Sequence, residues 1–234
     1  MCGIYASVSK TGPVHPSKDL KHLLYSRGPD HFEETSSEIR VDDGKLSLSF
    51  TSTVLALRGG RVAKQPLTDS LTGSILCWNG EAWKIGEKPV QGNDSEAILN
   101  LLAICAHNVP KLYSITAVLE VIRSISGPFA FIFFDKTHEL LYFGRDYLGR
   151  RSLLISADDI TATVQFSSIV GSAQDTWKEV EADGIFVLAF SSKLDHPSVR
   201  PLPEEYPRSS YFESYRFHWG TDASQRLPVS SWLL

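Results

Sequence analysis

The run Phe129-Ala130-Phe131-Ile132-Phe133-Phe134 constrains the fold more than any other stretch of this chain. A strand with one wet face alternates apolar and polar side chains, and this one leaves no position for water, so it is expected to be buried on both faces. Gly127-Pro128 introduces it. Before that, Val118, Val121 and Ile122 form one stripe, which predicts a helix from about Ile115 to Ile125. An earlier helix is predicted to begin near Asp94, because Asn93 and Glu96 have capping-box spacing ahead of Ile98, Leu101, Leu102 and Cys105. Nearer the start, Ser17 can cap a short helix carrying Leu20, Leu23 and Leu24, which Gly28-Pro29 stops.

Strand patterns occupy Cys2–Ser9, Leu46–Phe50, Thr53–Leu57 and Ser74–Trp78, and after the apolar run they return near Leu140–Phe143, Leu153–Ile155, Thr161–Phe166 and Ile185–Phe190. Strands, two consecutive helices and then more strands predict an α+β layered domain rather than regular βαβ winding. The pattern stops near Phe190, and the proline-rich stretch after Asp195 reads as a linker. The expected organisation is therefore one domain over residues 2–190, with 191–234 as linker or tail.

Charge and cysteine usage narrow the function classes. A net charge of −4 argues against nucleic acid or an anionic membrane as the main partner. No basic stretch followed by an apolar segment opens the chain, and no apolar run reaches membrane length. Cys2, Cys77 and Cys105 are an odd set without metal-ligand spacing, which fits reduced thiols in the cytoplasm and no metal site.

Cys2 is open to two readings. It can be a small buried residue at a strand edge, or, once Met1 is removed, a nucleophile carrying its own base. A terminal amine has a reference pKa of about 7.7–8.0, near working pH, which suits proton transfer. Other candidates also read two ways. Arg27-Gly28-Pro29-Asp30 has the composition of a tight turn. Arg58 can present its guanidinium to a carboxylate or stand in an exposed loop. Asn79-Gly80 is a hairpin signal, or a pair of uncharged donors for an oxyanion. Asp94 can complement a helix dipole or accept an ammonium group.

Taken in order, Cys2-Gly3-Ile4, Arg27-Gly28-Pro29-Asp30, Gln65-Pro66-Leu67, Asn79-Gly80-Glu81, Asp94-Ser95-Glu96, Phe129-Ala130-Phe131 and Arg145-Asp146-Tyr147-Leu148-Gly149 resemble the glutaminase domain of asparagine synthetase, a class II glutamine amidotransferase. The contexts Leu57-Arg58-Gly59 and Cys77-Trp78-Asn79-Gly80 look most like the asparagine synthetase domain-containing proteins. The likeness spans about residues 2–190. It implies an α+β, four-layer αββα sandwich of the N-terminal nucleophile hydrolase type, and hydrolysis of L-glutamine to glutamate and ammonia without metal or organic cofactor. It further implies Cys2 as nucleophile with its amine as base, and Asn79 and Gly80 as oxyanion donors. By the same likeness Arg58 holds the substrate α-carboxylate, Asp94 holds its α-ammonium, and Glu81 contacts substrate.

Some residues depart from that pattern. Ala82, Trp83 and Lys84 replace an aromatic and asparagine run, and Ser26 stands where a histidine often precedes the arginine; both put rate and substrate fit in question more than reaction type. No Ser-Gly-Gly-x-Asp-Ser pyrophosphate loop occurs, so an ammonia-consuming step linked to asparagine biosynthesis is expected from a synthetase domain or partner chain beyond this one. The alternatives are a catalytically silent binding or regulatory domain and an amidase acting on another amide. The pairing of Arg58 with Asp94 argues for an amino-acid head group, and so against the last.

Overall fold

The computed structural model describes residues 1–42, 44–57, 60–107, 109–158, 160–171, 176–190, 200–201 and 212–219. In chain order the elements are β1 (Gly3–Ser9), α1 (Lys18–Arg27), β2 (His31–Val41), β3 (Gly44–Val54), β4 (Leu67–Thr68), β5 (Ile75–Gly80), β6 (Lys84–Ile85) and β7 (Lys88–Pro89). Then follow α2 (Asp94–Ala106), α3 (Lys111–Arg123), β8 (Ile125–Ser126), β9 (Phe129–Asp135), β10 (Leu140–Arg145), β11 (Leu154–Asp158), β12 (Thr163–Ser167), β13 (Lys178–Glu179), β14 (Gly184–Ala189), β15 (Arg200–Pro201) and β16 (Glu213–His218). Among the described residues they build a six-stranded sheet, β13-β11-β12-β1-β3-β2, and a seven-stranded sheet, β15-β16-β14-β10-β9-β5-β4. A small third sheet, β7-β6-β8, stands apart from these two.

The two large sheets face one another, and the alternation of side chains divides the interior into layers. Ile4, Ala6 and Val8 of β1 and Leu46, Leu48 and Phe50 of β3 meet Ile75 and Cys77 of β5 and Ile132 and Phe134 of β9 in the core between sheets. The opposite face of the seven-stranded sheet sends Leu76, Trp78, Phe129, Phe131 and Phe133 against Ile98 and Leu102 of α2 and Val118 and Ile122 of α3. On the outer face of the six-stranded sheet, Tyr5 packs with Leu20 and Leu24 of α1. Helix, sheet, sheet, helices is the resulting order, and it explains the apolar run: β9 serves two cores at once, with every side chain buried. Burial of each such Phe contributes roughly 1.5–3 kcal/mol.

Four expectations change. The runs at Leu46 and Thr53 are one continuous strand, β3, because a polar outer face (Ser47, Ser49, Thr51) keeps the ladder going where apolar content dips. β2 was not expected at all: HFEETSSEIRV lies at the edge of its sheet, where only Ser37 and Ile39 are buried and hydrophobic patterning fades. α3 starts a turn earlier than predicted, capped by Pro110, and yields at Ile125 to β8. The segment 191–234, expected as linker or tail, contributes β16, which pairs with β14 from Gly184↔His218 to Ala189↔Glu213 and buries Tyr215 and Phe217. Its alternation is real but short, and arginine and histidine fill the other face. No described helix is long and apolar enough to cross a membrane.

Candidate active site

Cys2 stands at the head of β1, an interior strand, and three elements hold that end in place. Arg27, closing α1, donates from Nε to Cys2 O (3.3 Å) and from Nη1 to Ser168 O (3.2 Å). Gly3 N donates to Thr53 Oγ1 at 3.0 Å, and that hydroxyl donates on to Leu24 O at 2.6 Å. Ile4 N donates to Ser168 Oγ (3.0 Å), while Ser168 N returns a bond to Ile4 O (2.9 Å). Glycine is required at position 3, since a Cβ there would stand 2.5 Å from Thr53 Oγ1. The Arg27–Asp30 run is the turn its composition predicts, with Asp30 Oδ2 accepting from Ala56 N at 2.8 Å.

Asn79 and Gly80 close β5, in the sheet across the core. They are paired strand residues, in register with Ala130 and Phe129, so the hairpin-turn reading does not apply. A Cβ on Gly80 would lie 2.6 Å from Phe129 Cβ and 2.7 Å from Pro128 O, which fixes glycine by close approach. The Asn79 side chain is buried, and neither Oδ1 nor Nδ2 has a hydrogen-bond partner among the described residues. Such a group normally costs on the order of 1–3 kcal/mol, so a carboxamide left unmatched at a cleft is a donor and acceptor in waiting.

Asp94 is the first residue of α2, after the cap that the sequence predicted: Asn93 Oδ1 accepts from Glu96 N at 3.1 Å. Its Oδ2 accepts from Trp78 Nε1 (3.1 Å) and Ala82 N (2.8 Å), which leaves Oδ1 for a ligand. Trp78 N in turn donates to Gln65 Oε1 at 2.8 Å. From the other side, Asp146 accepts from Phe129 N (3.0 Å) and Arg150 Nε (2.9 Å), and Arg150 Nη2 donates to Gly127 O (2.7 Å), locking the strand against which Gly80 rests.

One cleft collects these groups. Cys2, Asn79, Gly80, Glu81 and Asp94 line it together with Met1 and Arg151. Arg58 lies outside the described residues; Leu57, just before it, lines the cleft. The departures at Ala82, Trp83 and Lys84 do not line it: the Ala82 amide supports Asp94 and Trp83 lies beneath the Arg150 guanidinium. Ser26 bonds its own helix at His22 O, away from the cleft. The sequence reading missed Arg151, Thr53 and Ser168. Arg151 follows the Arg145–Gly149 run by two positions, whereas Thr53 and Ser168 carry no local signal at all.

Burial pushes the Cys2 thiol above its ordinary value. Burial holds the Met1 amine below its own, with the Cys2 thiol opposing and Arg27 and Arg151 adding to it. An amide carbonyl seated here would meet a sulfur and the Asn79 amide together.

A family profile described as a glutamine amidotransferase domain matches residues 1–196. The chain belongs to that family. This amidotransferase domain is 32% identical over 201 residues to asparagine synthetase domain-containing protein 1 of Homo sapiens, covering 83% of this chain and 29% of that protein. It is 34% identical over 158 residues to asparagine synthetase domain-containing protein CG17486 of Drosophila melanogaster, covering 66% and 26%. The chain thus spans less than a third of the length of these relatives. Among solved structures, the glutamine phosphoribosylpyrophosphate amidotransferase of B. subtilis superposes with a TM-score of 0.51 at 15% identity, over 80% of this chain and 47% of that one. An allosteric regulatory enzyme of purine biosynthesis gives 0.53 at 16%, with the same coverage. At that identity the likeness establishes the fold, the αββα sandwich of N-terminal nucleophile hydrolases.

Proposed function

We propose that this amidotransferase domain hydrolyses L-glutamine to glutamate and ammonia through a thioester on Cys2, after removal of Met1. The observation that carries the reading is the unmatched, buried Asn79 amide in the same cleft as Cys2. In the proposed sequence the terminal amine takes the thiol proton as sulfur attacks the carboxamide carbon. Asn79 Nδ2 and the Gly80 N–H receive the oxyanion, and loss of one such donor typically costs on the order of a hundred- to a thousandfold in rate. The proton then goes to the departing ammonia, and water, activated by the same amine, cleaves the thioester to glutamate and restores the thiol.

The head group of glutamine would be read by opposite charges. Asp94 offers its remaining oxygen to the α-ammonium, Glu81 stands beside it on the cleft wall, and Arg58 is proposed to clamp the α-carboxylate. No metal or organic cofactor enters the scheme. A synthetase domain or partner chain would consume the ammonia, with a role in asparagine biosynthesis, and three free cysteines fit action in the cytoplasm. The amidotransferase domain is proposed to comprise residues 2–190 together with β16, which pairs with β14 in its seven-stranded sheet.

Met1-free protein incubated with L-glutamine should release glutamate and ammonia in equal amounts. Release no greater than that of a Cys2→Ala control would sink the proposal. The bonds that Trp78 and Ala82 already make to Asp94 favour a second reading, a silent binding domain whose aspartate is structural. Intact mass of the protein from its native host separates the two, because a chain that keeps Met1 has no amine on Cys2.

A further inference from the structure

Four arginines gather around the cleft, and three of them are each held by two or more side-chain hydrogen bonds. Arg27 holds two carbonyls, Cys2 O and Ser168 O. Arg145 reaches Glu179 Oε1 (2.6 Å), Val180 O (3.0 Å) and the carbonyl of Gly149. Arg150 is held by Asp146 and Gly127 O. Arg151 differs from all three. Its main chain is pinned, because Arg145 Nε donates to Arg151 O at 2.7 Å, yet its own Nε is buried with no partner among the described residues. The side chain lines the cleft beside Met1 and Cys2.

We propose that Arg151 is a positioning residue for catalysis, whose fixed positive charge keeps the terminal amine in its uncharged, proton-accepting form. The proposal rests on the glutaminase reading of the cleft, and its physical basis is crowding of like charge. Arg27 approaches the chain terminus from α1 and Arg151 from the loop after β10, so three cations meet at one chain end whenever the amine is protonated. Guanidinium groups keep their protons throughout the physiological range, so the repulsion is relieved only at the amine. In the chain that keeps Met1, burial holds the Met1 amine below its ordinary value, against the Cys2 thiol and with both arginines acting in the same direction as burial.

The groups that oppose them are the Cys2 thiol and the carboxylates of Glu81 and Asp94 on the cleft wall; one oxygen of Asp94 is already committed to Trp78 and Ala82. Removal of Met1 moves the amine one residue along, to Cys2, whose carbonyl Arg27 already holds. Arg27 therefore stays beside it, and Arg151 lines the same cleft as Cys2.

The test uses the Met1-free chain, verified by intact mass, as wild type, Arg151→Gln and Arg151→Lys. The acid limb of the kcat/KM profile should move up by about half a pH unit in Arg151→Gln, the size expected of one unit charge several ångströms away at a partly wet site, and stay in place in Arg151→Lys. Equal limbs in wild type and Arg151→Gln, or equal shifts in the two variants, overturn the proposal. A second readout needs no turnover. In the Cys2→Ala background, competitive acetylation of the terminal amine, read by mass spectrometry across pH, should show the same rise on adding Arg151→Gln. An unchanged amine overturns the proposal whatever the glutaminase assay returns, while a rise without glutaminase activity sustains it and removes the glutaminase reading instead. If Arg151→Gln does not fold, added salt serves: screening should raise the amine pKa of the Arg151-bearing chain, and a salt-independent value overturns the proposal.

Discussion

The two ends of β9 carry buried polar clusters of opposite character. At its Phe129 end the strand backs the cleft, where Asn79 and Arg151 hold buried atoms without partners. At its other end Asp135 is fully buried and saturated: His138 Nδ1 meets Oδ2 at 2.7 Å, His138 N donates to Oδ1 at 3.2 Å, and Ser114 Oγ donates to Oδ2 at 3.3 Å. His138 Nε2 faces Val109 O at 2.7 Å, and the Tyr142 hydroxyl nearby is without a partner among the described residues. A carboxylate and an imidazole that satisfy one another stabilise a fold, whereas an amide that keeps both donor and acceptor over at a cleft is arranged for something that comes and goes. Removing a side chain should therefore cost stability at one end and turnover at the other.

The largest expected effect is at the saturated end. Asp135→Ala strands the His138 imidazole and the Ser114 hydroxyl in the interior, and breaking a buried pair from one side costs about 3–5 kcal/mol. Urea unfolding should show that loss, and a variant within about 1 kcal/mol of wild type would erase the contrast between the two ends. At the open end, Asn79→Ala should lower kcat by about a hundred- to a thousandfold while leaving the unfolding midpoint close to wild type, since the amide it deletes has no bonds to lose. A variant that instead unfolds early would make Asn79 structural.

Gly80→Ala lies between these extremes and sharpens the comparison. The new methyl would collide with Phe129 Cβ and Pro128 O, both part of the ladder. Strain of this kind costs about 1–3 kcal/mol, and because the shift is passed to Asn79, kcat should fall as well. Loss of stability with kcat intact would show that the register of β5 on β9 does not set the donor position.

How far all this was legible in the sequence differs between the two ends for physical reasons. The doubly buried β9, the capped start of α2 at Asn93 and the Gly-Pro stop of α1 are local signals, and local signals survive in one dimension. The order of motifs pointed to Cys2, Asn79, Gly80, Glu81 and Asp94, and the fold brings all five to one cleft. The support around them was invisible. Thr53 and Ser168 lie 50 and 164 positions from the residues whose amides they hold, and nothing near either one announces the contact. β2 and β16 escaped notice because edge strands and strands shared with charged faces lose the apolar alternation on which the reading depends. Asp135 and His138, three residues apart, look like an ordinary turn until burial is known.

The smallest expected effect comes from titrating the saturated end. Both ring nitrogens of His138 face acceptors, a carboxylate and a carbonyl, so only the imidazolium can donate to both at once. Its pKa is accordingly raised, first by the Asp135 hydrogen bond, against burial and the nearby Lys111 ammonium. A group whose folded-state pKa is raised gives its full stabilisation below the unfolded value of about 6.5 and loses it as pH climbs through the folded-state value. The stability gap between wild type and His138→Gln, measured by urea unfolding, should thus be widest at pH 6 or below and narrow steadily on the alkaline side. A gap that stays constant or widens with pH would mean that His138 is held neutral, and that its end of β9 is satisfied by one hydrogen bond fewer than the geometry invites.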